Sequence, residues 1–139
     1  MSGRELSVTL ENLVRLTREI STAGGISPTA ASVLARLGRI GPTGLSELAR
    51  RTGVSQPAMT QLITRMERDG LVTRAAADGD RRVTLIALAD LGRQVLEERR
   101  TERADVLDDL LGSLRAEDQS AIAAALPALE RLVASVDAD

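Results

Sequence analysis

LSELARRTGVSQPAMTQLITRMERDGLV, residues 45–72, is the stretch that decides how this 139-residue chain is read. Leu45, Leu48 and Ala49 share one face of a short helix, with Ala49 small enough to allow close approach of a neighbour. Gly53 permits a tight turn, and Val54 plugs the space between helices. Met59, Leu62, Ile63 and Met66 then recur at steps of three and four, which predicts a second helix from Ser55 to Asp69 closed by Gly70. Two helices that face each other this way turn Gln56, Pro57, Thr60, Gln61, Thr64 and Arg65 outward near the start of the second. With Ser55 at the helix start they form a candidate major-groove surface, because Gln pairs bidentately with adenine and Arg with guanine. In a helix-turn-helix the N-terminal part of the second helix enters that groove. The plain alternative is a helix hairpin with a solvated polar face.

Downstream the period changes from helical to alternating. Leu71 to Arg74 and Val83 to Leu88 are short and β-branched, and the polar stretch AAADGDRR lies between them, so a β-hairpin with a long tip is expected. Asp80, Arg81 and Arg82 fall at or near that tip, where an inserted Arg can reach a minor groove of negative potential. A long helix is expected from Asp90 towards Leu114, polar throughout Glu97 to Arg103 and apolar at both ends. The last helix, Ala116 to Val136, contains Pro127, which should kink or split it near Leu126. Upstream, Leu6, Leu10, Leu13, Leu16 and Ile20 mark an amphipathic helix running to Gly24-Gly25. A second helix follows, capped by Ser27, with Ala31, Val33, Leu34 and Leu37 on its apolar face and Gly41-Pro42 at its end.

Composition narrows the chemistry. The chain has no Cys, His, Trp, Tyr or Phe, and all 18 of its basic residues are Arg. The usual nitrogen and sulfur metal sites and thiol chemistry are therefore closed, and an acid or base could only be Asp or Glu. No cofactor is expected, and the chain is not read as an enzyme: Asp108-Asp109 and Glu117-Asp118 sit on exposed helix positions, the latter complementing a helix start. Charge is uneven, at +1 for residues 1–38, +3 for 39–82 and −6 for 83–139. No apolar run approaches the length of a membrane span, and the first residues mix charge with apolar positions unlike a signal peptide, so a cytoplasmic protein without membrane partners is expected.

The block LSELARRTGVSQPAMTQLITRMERDGLVTR followed by DGDRRVTLIALADLG resembles the MarR family of winged-helix transcription regulators over roughly Ser27 to Glu98. The resemblance implies a mainly α fold with a small β-hairpin wing: a winged helix-turn-helix DNA-binding domain at residues 27–92, and a helical dimerisation region at 1–26 and 93–139. It implies homodimers on double-stranded DNA, the recognition helix in the major groove and a wing arginine in the minor groove. Asp80 and Arg82 match the wing's Asp-x-Arg pair, and Gly92 matches the Gly after the second strand. Ala89 stands where the family has Thr, so Asp90 is expected to cap the long helix. The absence of Cys and aromatic side chains removes two of the family's ways of sensing a signal.

Arg50, Arg51, Arg68 and Arg74 are candidates for phosphate contact. Leu6, Leu10, Leu13, Val106, Leu110, Leu114, Leu126, Leu129 and Leu132 form a terminal apolar surface that burial across a two-fold axis would cover. The reading is a sequence-specific regulator, in the first instance a repressor, with a small-molecule effector as a further partner. The competing reading is a helical dimer that binds proteins or ligands without specific DNA binding.

Overall fold

A computed structural model describes residues 1–21, 25–77 and 79–138, with residues 80–82 described by their backbone alone. Helices α1 (Gly3–Ile20), α2 (Pro28–Ile40), α3 (Leu45–Thr52), α4 (Gln56–Arg68), α5 (Asp90–Gly112) and α6 (Ala116–Asp137) accompany strands β1 (Thr43–Gly44), β2 (Val72–Ala77) and β3 (Asp80–Leu88). The chain is mostly helical with one three-stranded antiparallel sheet, ordered β1-β3-β2. Contacts divide it into two units, Met1–Ser21 with Thr101–Asp139, and Thr22–Arg100.

The central unit, Thr22–Arg100, holds the core. In α2 the Ser27 hydroxyl accepts from the Ala30 N–H at 3.2 Å and Pro28 occupies the first turn, as the sequence predicts. Ala30, Val33, Leu34 and Leu37 are its buried residues, so Ala30 takes the buried place expected of Ala31, which is half-buried. In α3 and α4, Leu48, Ala49, Met59, Leu62, Ile63 and Met66 are all buried. The turn between these helices depends on Gly53, whose φ of +71° only a residue without a Cβ adopts readily. The helix α4 ends where the Leu71 N–H returns to the Met66 carbonyl at 2.9 Å, across Gly70 at φ +78°.

The wing departs from the expected long tip. The strands continue through Ala77 and Asp80, which pair with each other, so the stretch read as a loop is mostly paired strand, with a register shift between Ala76 and Ala77. Three alanines followed by charged residues lack the apolar alternation that marks a half-buried strand in a sequence, and backbone pairing extends this one. Strand β1 was not foreseen, since two residues are too few for any pattern. It pairs Thr43 with Ile86, and the Thr43 hydroxyl donates to the Gly41 carbonyl at 3.0 Å.

The start of α5 also differs. The Arg93 N–H donates to the Ala89 carbonyl at 2.9 Å, so the cap position falls on Ala89, which offers no side-chain acceptor, and Asp90 lies in the first turn instead of capping it. There its carboxylate complements the helix dipole.

In the other unit α1 opens with a capping box: Ser2 and Glu5 bond each other's backbone N–H groups, and the Ser2 backbone bond followed by its hydroxyl hold the Glu5 carboxyl below its ordinary value. The helix α6 is not split at Pro127. It runs unbroken from Ala116 to Asp137, because one missing donor leaves the flanking turns' hydrogen bonds in place. No residue of α1 or α6 is buried. Among the described residues no helix is long and apolar enough to cross a membrane.

Gly92 is the most tightly enclosed of the described glycines, since a Cβ there would fall onto the Leu71 carbonyl and crowd Leu88. Gly92→Ala should lower unfolding stability by about 2 kcal/mol or more, as forced overpacking against backbone does. Gly112→Ala, where nothing lies within 4 Å of the added carbon and Ala suits a helix better than Gly, should leave it unchanged or raise it by up to about 1 kcal/mol. Denaturant midpoints of the two variants, measured side by side, check the contrast.

Candidate nucleic-acid interface

The helix α4 presents its polar side from a fixed base. Its four buried residues pin one face, and its start is set by Ser55, whose hydroxyl accepts from the Ala58 N–H at 3.2 Å. Gln56, Pro57, Gln61, Thr64 and Arg65 are exposed, and Thr60 is half-buried. The outward face read from the sequence is therefore present as one surface.

The two threonines are less free than the rest. The Thr60 hydroxyl donates to the Gln56 carbonyl at 3.0 Å, and the Thr64 hydroxyl to the Thr60 carbonyl at 2.8 Å. Such local bonds are the usual fate of a hydroxyl inside a helix. Gln56, Gln61 and Arg65 keep long side chains able to reach a base edge.

The candidate phosphate contacts divide by exposure. Arg50 and Arg68 are outward, their side chains 67% and 74% exposed, and they lie 3.4 Å from Glu47 and 3.6 Å from Asp69. Arg51 is only 12% exposed and donates through Nε to the same Glu47 at 3.1 Å, which ties it into the body of α3. Arg74 leans on α4, with Nη2 donating to the Thr64 hydroxyl at 2.9 Å. Glu47 was missed in the sequence. Its spacing of three and four residues from Arg50 and Arg51 is the signal that finds it.

A cleft of about 520 Å³ opens between α3 and the wing. Ser46, Glu47 and Arg50 line one side, Gln56 the start of α4, and Val83 and Thr84 of β3 the other side. Arg50, Gln56, Ser46 and Thr84 put hydrogen-bond donors around an opening beside the recognition surface. Asp80, Arg81 and Arg82 fall on β3, but their side chains lie outside the described residues, as does Asp78.

Known proteins share both sequence and fold with this chain. The sequence model of the MarR family matches residues 26–84. An uncharacterized HTH-type transcriptional regulator of Bacillus subtilis, YdgJ, is 25% identical over 114 residues, spanning 82% of this chain and 70% of that protein. A MarR family protein of Bacillus stearothermophilus of known structure is 27% identical, with a TM-score of 0.71 over 96% of this chain and 99% of that one. The fold also matches Streptococcus pneumoniae FabT, solved in complex with DNA, at a TM-score of 0.65 and 18% identity over 96% of each chain.

The helix start can be tested without DNA. Ser55→Ala removes the acceptor for the Ala58 N–H and should lower stability by about 1 kcal/mol, whereas Ser55→Gly should cost only a few tenths. An unchanged denaturant midpoint in Ser55→Ala would take the cap out of the account.

Proposed function

From the match of residues 26–84 to the MarR family, we propose that this chain is a MarR-type transcriptional regulator, a cytoplasmic repressor that binds a pseudo-palindromic operator as a homodimer and is released by a small-molecule effector. The observation that carries the DNA-binding part is the exposed pair Gln61 and Arg65, one turn apart on a helix whose opposite face is buried, with exposed Gln56 at the helix start. A rigidly seated helix with bidentate side chains on its free face suits direct readout of base edges. Ser55, Pro57, Thr60 and Thr64 complete the surface offered to the groove. Residues 27–92 form the DNA-binding domain in this reading. Arg82, with Arg81 and Asp80 beside it, enters the neighbouring minor groove, and Arg50 and Arg68 steady the phosphates.

Dimerisation is supported by the helices of residues 1–26 and 93–139. Leu10, Leu13, Leu110, Leu126 and Leu132 are each more than 40% exposed, and Val106, Leu114 and Leu129 fall between 36% and 40%; Leu6 is half-buried. An apolar surface of this extent calls for a cover, and a second copy supplies the same surface in return. Two recognition helices then meet half-sites about one helical turn apart. The same reading makes the protein a regulator and not an enzyme.

The test is fluorescence anisotropy against a duplex from upstream of the protein's own gene and a scrambled one, at two salt concentrations. Tighter binding to the first, weakening steeply with salt, is the expected result. Gln61→Ala and Arg65→Ala should each cost about 1–3 kcal/mol, mostly on the preferred duplex. Arg82→Ala should weaken both and flatten the salt slope by about one unit. Equal losses on both duplexes from Gln61→Ala would end its base-reading role. No binding to either at low salt would instead favour a protein- or ligand-binding dimer.

Sedimentation of the wild type should give twice the 14.8 kDa chain mass, and Leu126→Glu, placing a charge on the apolar face, should shift it towards the monomer. A wild type that sediments as a monomer at micromolar concentration would overturn the dimer.

A further inference from the structure

We propose that Arg74 is a strut between the wing and the recognition helix, a positioning residue that decides which side chains of α4 can read DNA; the inference rests on the DNA-binding reading above. The sheet register provides the first support. Arg74 pairs with Ile86, a fully buried residue, and Val72, two positions earlier on the same strand, is buried as well. Directly opposed residues of an antiparallel pair project to the same face, so Arg74 leaves β2 on the core-facing side of the wing. Its guanidinium is thereby directed at α4 and not straight out to solvent.

The contacts follow from that direction. Nη2 donates to the Thr64 hydroxyl at 2.9 Å and meets the Thr60 carbonyl at 3.5 Å, while Nε lies 3.8 Å from the Glu67 carboxylate. Thr60, Thr64 and Glu67 recur at i, i+4 and i+7, one flank of the helix over two turns. A planar fork with donors at fixed angles can span these acceptors at once, whereas an ammonium is a single point charge.

Two consequences bear on recognition. The Thr64 hydroxyl spends its only proton on the Thr60 carbonyl and accepts from Arg74, so it cannot donate to a base without breaking the strut. Base reading is then left to Gln56, Gln61 and Arg65. The charge of Arg74 is also opposed by Glu67, which makes it a poor partner for a phosphate. Each contact is close to solvent and adds little to folding. What the strut supplies is the orientation of α4 relative to the wing within the central unit.

The experiment selects a duplex from a random-sequence pool with the wild-type chain, then measures the affinity of Arg74→Gln, Arg74→Lys, Thr64→Val and the double variant Arg74→Gln/Thr64→Val for it and for a scrambled duplex, over a salt series. Thermal melting of each variant serves as the control. A strut predicts that Arg74→Gln and Arg74→Lys both lose about tenfold on the selected duplex and less than about twofold on the scrambled one, with unchanged salt slope and melting. It also predicts that the losses of Arg74→Gln and Thr64→Val are non-additive, because each removes the same contact. Equal losses on both duplexes, a slope reduced by about one unit and rescue by Arg74→Lys would make Arg74 a phosphate contact and overturn the proposal. Additive losses, or a melting shift that accounts for the affinity change, would overturn it equally. A wild type that enriches no duplex would remove the DNA-binding reading, and the role of the strut with it.

Discussion

The peptide of Leu71 is the constraint on which the central unit depends. Its N–H closes α4 by donating to the Met66 carbonyl at 2.9 Å, its carbonyl accepts from the Ala89 N–H at 3.0 Å, and its side chain is buried in the core. The end of α4, the start of the wing and the approach to α5 thus meet at one residue. Gly70 at φ +78° makes the turn into it possible, and Gly92 keeps the space above its carbonyl open. Any residue with a Cβ at position 92 would push α5 away from the base of the wing.

The division of labour along α4 follows from this anchoring. Its apolar face is spent on a core built of aliphatic residues and methionines, a chain without aromatic rings having no other large apolar groups. Its polar face is mostly exposed, and of its side chains Gln61 and Arg65 stand clear of the core. The surrounding cations are less naked than their number suggests, since Glu47 faces Arg50 and Arg51, Glu67 faces Arg74, and Asp69 faces Arg68. Among the described residues, several cations of the basic middle are thus offset by a neighbouring carboxylate.

The order and extents of α2, α3 and α4 were legible because each carries its own stop and start signals, Ser27, Gly41, Gly53, Ser55 and Gly70, beside a strong apolar period. The wing was legible as a hairpin but not in its length, because the residues that extend it pair through the backbone and show no apolar alternation. Strand β1 had no pattern to show, and Pro127 removes a single donor from a helix long enough to carry the loss. Arg74 illustrates the deeper limit. Its partners lie ten or more residues away for Thr64 and Thr60 and seven for Glu67, and the strand register that aims it at them exists only once the sheet has formed. Residue type suggested a phosphate contact; only its position in the sheet suggests otherwise.

The unit made of α1, the last part of α5 and α6 poses the opposite problem from the central one. Among its described residues none is buried, although Leu10, Leu13, Leu110, Leu126 and Leu132 recur along its helices at amphipathic spacing. Helices whose apolar faces stay wet gain too little to offset the entropy of ordering them. The central unit meets that cost with its own core, whereas the terminal unit has no buried residue of its own to meet it with. A second copy meets the requirement most simply, since whatever face the first leaves open the second repeats, and a two-fold axis closes both at once. Under that reading, ordering of the terminal helices and association of two chains are one event. The pairing that completes the fold would then also be what brings two recognition helices to one DNA site.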